Sequence, residues 1–214
     1  RAVDLNPGFA AARADLADLY VALARRREGI EQLEALAALE PSRPHRLVAV
    51  AMAYADLGRI DATITALARA AERHPDAPAV FTALGRIWLN IAETRADRVA
   101  LSKALEALEK PASSDGATSE ARALYGRALF LSGNTEDGQR ALEQATSALP
   151  VDATAFLWLS AAAERRGDRA AARAATARYA SLMPHVTPAQ TTQQVADSLR
   201  LQERLRVAVH GTRR

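Results

Sequence analysis

At 214 residues the chain is too long for a stapled mini-protein and lies between the usual sizes of one domain and two. It has no cysteine, which excludes disulfide frameworks, thiolate metal sites and thiol chemistry together. Lys and Arg outnumber Asp and Glu by only 28 to 25, a formal charge of +3, which is not the footprint of an obligate nucleic-acid binder.

With 49% hydrophobic and 25% charged residues, the chain has enough apolar surface to offset the entropy of ordering. Aromatics are scarce at 5%, and about a quarter of the residues are Ala, the best helix former and a poor filler of thick cores. Close helix-on-helix contact is expected. Arg, Asp or Glu interrupts every apolar run short of the roughly 18 residues a bilayer span needs, so no membrane span is expected. Residue 1 is Arg rather than Met, which leaves the compartment (cytoplasmic or periplasmic) open.

The prolines set a period. Pro7, Pro41 and Pro75 stand 34 residues apart, Pro111 and Pro150 follow at 36 and 39, and Pro184 at 34. Other columns keep the step: Tyr20, Tyr54 and Trp88, and the small residues Ala17, Ala51 and Gly85, continued by Gly126 and Ser160. Such phasing marks a repeat architecture. Residues 1–7 read as the tail of a preceding unit. In unit 8–41, Leu16, Leu19, Tyr20 and Leu23 recur at three-and-four spacing, as in an amphipathic helix. A second run, Ile30, Leu33, Leu36 and Leu39, closes at Pro41. Unit 42–75 turns at Gly58, and Gly133 and Gly167 repeat that role. Unit 76–111 is longer between Gly85 and Ala100, which places an insertion in the turn 92–99. Unit 112–150 follows the Ser- and Gly-rich segment 111–119, a solvated insertion or a joint between blocks of three and two units. Unit 151–184 carries Ser160, Gly167 and Ala172. Strand periodicity is absent.

Beyond Pro184 the pattern stops. Thr187, Pro188 and Gln190 fit a helix start, with Thr as N-cap and Gln reaching back. The helix is expected to run to about His210 with Val195, Leu199, Leu205 and Val209 on one side. It reads as a capping helix with a basic tail over 185–214. An amphipathic basic arm (Arg200, Arg204, Arg206, Arg213, Arg214) is the alternative, against which Glu203 and the modest apolar content count.

A 34-residue helix–turn–helix unit with a small residue in each helix, a turn Gly and a closing Pro resembles the tetratricopeptide repeat. Unit 151–184 shows it well with Leu159-Ser160, Gly167 and Ala172, although Tyr179 stands where another Ala is usual. Val50-Ala51, Tyr54, Gly58, Leu67 and Ala70 carry it in unit 42–75, and Tyr125-Gly126, Gly133, Gly138, Leu142 and Ala145 in unit 112–150. Unit 8–41 departs with Ala24 at the turn and Leu36 at a usually small position. The resemblance implies an all-α, right-handed superhelical solenoid of about five repeats plus the capping helix. It also implies that the first helix of each unit lines a concave groove that binds a peptide or helix of another protein. The groove positions would be Asp15, Asp18, His45, Met52, Asp56, Thr82, Arg86 and Asn90, then Glu120, Arg127, Phe130, Trp158, Ala161 and Arg165. Trp158 and Arg127 are the sharper candidates, although Trp158 filling a gap under the cap has equal claim.

Catalytic signatures fail. His45, His74, His185 and His210 offer no pair at helical ligand spacing, and no phosphate-cradling Gly motif or Gly-x-Ser-x-Gly occurs. The Gly-bounded stretch 133–138 falls on a turn. No enzyme, metal or cofactor is expected. The leading expectation is a protein-interaction scaffold. A spacer or self-association segment of a larger assembly, or a regulatory repeat region beside a catalytic domain, stays open.

Overall fold

The computed structural model describes residues 2–207; Val209, His210, Arg213 and Arg214 of the expected helix end and tail lie outside them. Every regular element among the described residues is helical. In order these are α1 (Ala2–Leu5), α2 (Ala10–Ala22), α3 (Arg26–Leu39), α4 (Pro44–Asp56), α5 (Ile60–Arg73) and α6 (Pro78–Arg95). Then come α7 (Arg98–Ser113), α8 (Ser119–Ser132), α9 (Thr135–Ser147), α10 (Ala153–Arg166), α11 (Arg169–Leu182) and α12 (Pro188–Val207). The chain divides into two compact units, Arg1–Leu84 and Gly85–Arg214, with the division inside α6.

In the first unit α2 pairs with α3 and α4 with α5, and α3 packs on α4. Its small-residue columns are closed: Ala17, Ala51, Leu67 and Ala70 are buried. The aromatics of the 34-residue column are half-buried and each carries a cation, Arg25 over Tyr20 at 4.7 Å and Arg59 over Tyr54 at 4.9 Å. Tyr54 also donates its hydroxyl proton to Glu34 of the preceding repeat, which raises the phenol's pKa. The helices α2 to α5 have no side-chain N-cap bond.

The second unit is built more tightly. Here α8 pairs with α9 and α10 with α11, while α7 packs on α8 and α9 on α10. Asp97, Thr118, Asn134, Asp152 and Asp168 each cap the helix that follows, their side-chain oxygens accepting from backbone N–H groups. Backbone meets backbone between α8 and α9. A Cβ on Gly138 would stand 2.8 Å from the Phe130 nitrogen and 2.9 Å from the Gly126 carbonyl oxygen. A Cβ on Gly126 would meet the Gly138 carbonyl oxygen at 2.8 Å. One repeat earlier, a Cβ on Gly85 would fall 2.3 Å from Cγ of the buried Leu108.

The turn column explains itself by backbone angle. Gly58, Gly133 and Gly167 have φ of +69°, +96° and +78°. The two units without a turn Gly use the same conformation, Ala24 at φ 56° and Ala96 at φ 52°. The insertion expected in turn 92–99 is instead an extra helical turn: α6 has 18 residues where α4 has 13, and the connection stays short at Ala96 and Asp97. Ala96 therefore follows Gly58 by 38 positions. That shift corrects the reading of Pro111 as a helix terminator, because it now falls inside α7 and is buried there. Pro41, Pro75 and Pro184 do stand two residues beyond their helices. The solvated segment likewise shrinks to residues 114–118, since Pro111 to Ser113 are helical.

Three substitutions test these contacts by denaturant or thermal unfolding. Gly138→Ala lowers stability by about 1–3 kcal/mol despite the helix propensity it gains, because the new methyl meets backbone. Gly29→Ala, where the nearest atom is 3.6 Å away, is neutral or stabilising by up to about 1 kcal/mol. Ala96→Gly relieves a left-handed alanine and adds about 1 kcal/mol.

Candidate functional site

The small-residue column supplies a register for comparing first helices: Ala17 in α2, Ala51 in α4, Gly85 in α6, Gly126 in α8 and Ser160 in α10. One residue further on stand Asp18, Met52, Arg86, Arg127 and Ala161; four further on stand Val21, Ala55, Leu89, Phe130 and Glu164. The two units treat these positions differently.

In the first unit they are open. Asp15, Asp18, Val21, His45 and Asp56 are exposed and Met52 is half-buried. Among the described residues no cation pairs with Asp15, Asp18 or Asp56, so the first helices there present uncompensated carboxylates beside aliphatic surface. Thr82 departs from expectation: it is buried, and its hydroxyl donates to the Pro78 carbonyl at 2.9 Å, because it faces the packed side of its helix.

In the second unit the same register is mostly occupied. Phe130 is 0% exposed and Trp158 6%, their rings meeting edge to face at 5.8 Å, so both are core residues rather than contact residues. Arg127 lies with its guanidinium 4.7 Å from the centre of the Trp158 ring and donates to Glu93, 34 residues earlier on α6. Trp88 carries Lys103 over its face at 4.3 Å. Arg86 is exposed and pairs with Glu120 at 3.1 Å, again 34 residues apart, while Asn90 is exposed with its carbonyl accepting from Thr94. Arg165 reaches Glu203 of α12 at 2.9 Å.

The helix α12 lies against these first helices. It packs on α10 and α8 and approaches α11 least, so it does not simply stack on the end of the last repeat. Its start has the expected capping box: the Thr187 N–H donates to Gln190 Oε1 at 2.8 Å and the Gln190 N–H to Thr187 Oγ1 at 3.3 Å. The buried stripe differs from expectation. It is Thr191, Val195, Ser198, Gln202 and Leu205, while Leu199 is only half-buried. Gln202 donates to the Phe130 carbonyl at 2.6 Å, satisfying part of the open end of α8.

Sequence reasoning missed Glu93 and Gln202, and read Glu203 only as an interruption of the basic face. A signal existed for the first, since opposite charges sit one period apart in both Glu93/Arg127 and Arg86/Glu120. Among the described residues no three of His, Cys, Asp or Glu converge as a metal ion would require, and no helix is long and apolar enough to cross a membrane.

Burial pushes the Glu93 carboxyl above the usual range, and this outweighs the opposite pull of Arg127. Arg127→Leu is expected to cost roughly 3 kcal/mol at neutral pH, because it leaves a carboxylate in a nearly dry site. The penalty shrinks as pH falls towards the raised folded-state pKa, since the folded protein then takes up a proton more readily than the unfolded chain. Adding Glu93→Leu recovers most of the loss in a double-mutant cycle followed by urea unfolding.

Residues 44–87 match the tetratricopeptide repeat family model. No curated protein matches the sequence. A tetratricopeptide-repeat protein of Thermus thermophilus superposes with a TM-score of 0.65 at 18% identity, covering 89% of this chain and 99% of its own. The pilF protein of Pseudomonas aeruginosa gives 0.71 at 17%, covering 92% of this chain and 85% of its own. YrrB, described as having an unusual peptide-binding site, gives 0.56 at 16%, covering 90% and 94%. These likenesses show a shared fold, and the matched repeat recurs in phase on both sides of residues 44–87. Residues 44–87 thus match a tetratricopeptide repeat, and the chain shares the all-α repeat fold of these structures.

Proposed function

We propose that the chain is a non-enzymatic protein-interaction scaffold that holds a segment of a partner, peptide or helix, on the first helices of residues 1–84. One observation carries the reading. Asp18 and Val21 are exposed and unengaged by the fold, whereas Ala161 and Phe130, which match them in register in the second unit, are buried, and Arg86 and Arg127 there are held by Glu120 and Glu93. Exposed carboxylates beside an exposed valine suit a basic segment carrying an apolar anchor. The likeness to YrrB, a protein with a peptide-binding site, supports the same class of function at the level of fold.

A second reading has its own observation. Leu19 and Leu23 are 53% and 58% exposed, yet Ile87, Ala128 and Ala162, which match Leu19 in register, are buried. Such an apolar stripe favours self-association through α2.

Reversing charge with Asp18→Lys and Asp56→Lys together is expected to weaken capture of a basic partner at least tenfold while leaving helicity unchanged; undiminished capture would overturn the surface assignment. Sedimentation of the wild type and of Leu19→Asp/Leu23→Asp separates the second reading. A dimer lost in the variant supports it, and a concentration-independent monomer rejects it.

A further inference from the structure

The buried seam of α12 is largely polar. Its five buried positions, spaced four-three-four-three, are Thr191, Val195, Ser198, Gln202 and Leu205. The Thr191 hydroxyl donates to the Thr187 carbonyl at 3.2 Å and that of Ser198 to the Gln194 carbonyl at 2.9 Å. Both hydroxyls are thus spent on α12 itself and give nothing to α8 or α10. Gln202 and Gln194 each bury an Oε1 with no partner, which carries a desolvation cost. At the rim the link is the part-exposed Arg165–Glu203 pair, and such pairs contribute little.

The seat is also under-filled. Continuous with the α12 interface, a cleft of about 590 Å³ opens between α10, α11 and the first half of α12. Ser160, Ala172, Thr176 and Ala180 line one side of it, and Val195 and Leu199 the other. Small side chains of α10 and α11 therefore face a helix that does not fill the space they leave. α12 carries its helix start within itself through the Thr187–Gln190 capping box, and only residues 183–187 join it to α11. It can leave the seat without losing its own N-terminal bonds.

We propose that α8 and α10 form a helix-binding seat that α12 occupies as a resident ligand, and that an amphipathic helix of a partner protein displaces it. The chemistry of the seat describes that helix. It has large aliphatic residues at the positions taken by Thr191 and Ser198, an amide at the step of Gln202 to reach the Phe130 carbonyl, and an acid at the step of Glu203 to meet Arg165. It buries more apolar surface than α12 does and fills the cleft. This surface is separate from the acidic face of residues 1–84, and neither assignment depends on the other.

The absence of native cysteine makes a direct test available. In the full chain, Arg165→Cys with Glu203→Cys can be joined by a bismaleimide, which holds α12 in place. The probe is a fluorescein-labelled peptide of residues 188–207 bearing Thr191→Leu and Ser198→Leu. Anisotropy is expected to show binding to the open double-cysteine chain and at least tenfold weaker binding once it is cross-linked. Equal binding before and after cross-linking, or no binding to either form, overturns the proposal. In an otherwise native chain, Gln202→Ala should raise peptide affinity several-fold, and unchanged affinity counts against displacement. Asp18→Lys/Asp56→Lys should leave peptide binding intact; its loss would place the peptide on the first unit and reject the seat. A dimer of the open chain that exchanges α12 between copies would name a second copy as the occupant and likewise overturn the partner assignment.

Discussion

The contact on which the second unit depends is the meeting of two backbones at Gly126 and Gly138. With no Cβ on either residue, α8 and α9 come within direct carbonyl-to-helix distance, and Leu142 settles against Gly126. Helix separation is set by the side chains between the axes, so a single methyl at either position would drive the pair apart. The same arithmetic governs the preceding repeat, where Gly85 gives up its side chain to admit Leu108. Within each unit, repeats stack because each presents faces of fixed spacing to the next, which an Ala-rich, aromatic-poor composition suits.

The first and second units use that plan with different reinforcement. Residues 85–207 add side-chain N-caps, the Glu93–Arg127–Trp158 stack and a helix laid on α8 and α10. Residues 1–84 rely on packing and on cations over Tyr20 and Tyr54. Reinforcement and availability trade against each other at the register of the first helices. Where α12 is seated, the would-be contact residues become core; where nothing covers them, carboxylates and aliphatic side chains remain exposed.

How much of this was legible depended on whether geometry forces a residue type. The 34-residue columns were, since close approach demands Gly, Ala or Ser and a left-handed turn favours Gly; even Ala24 and Ala96 adopt the conformation their column requires. The capping box at Thr187 was legible for the same reason. Pro111 misled because one extra helical turn in α6 moved the frame by four residues, and a helix lengthened by a whole turn keeps its apolar face. The seat of α12 was hidden. Hydrophobic periodicity selects Val195, Leu199 and Leu205, whereas the buried seam includes Thr191, Ser198 and Gln202, and Gln202 meets Phe130 across 72 residues of sequence. Register alone placed Phe130 and Trp158 on a binding surface, whereas their rings are buried against each other.

The placement of the aromatics has a spectroscopic consequence. The chain has two tryptophans, Trp88 on α6 and Trp158 on α10, and both belong to residues 85–214. Each ring lies under a cation, Lys103 or Arg127, and Trp158 is the more buried. Indole emission therefore reports the second unit alone, while Tyr20 and Tyr54 are the only phenols of the first. A melt followed by tryptophan fluorescence and one followed by far-ultraviolet dichroism would coincide only if the two units unfold as one, so the natural chromophores already encode a test of cooperativity along the repeat array.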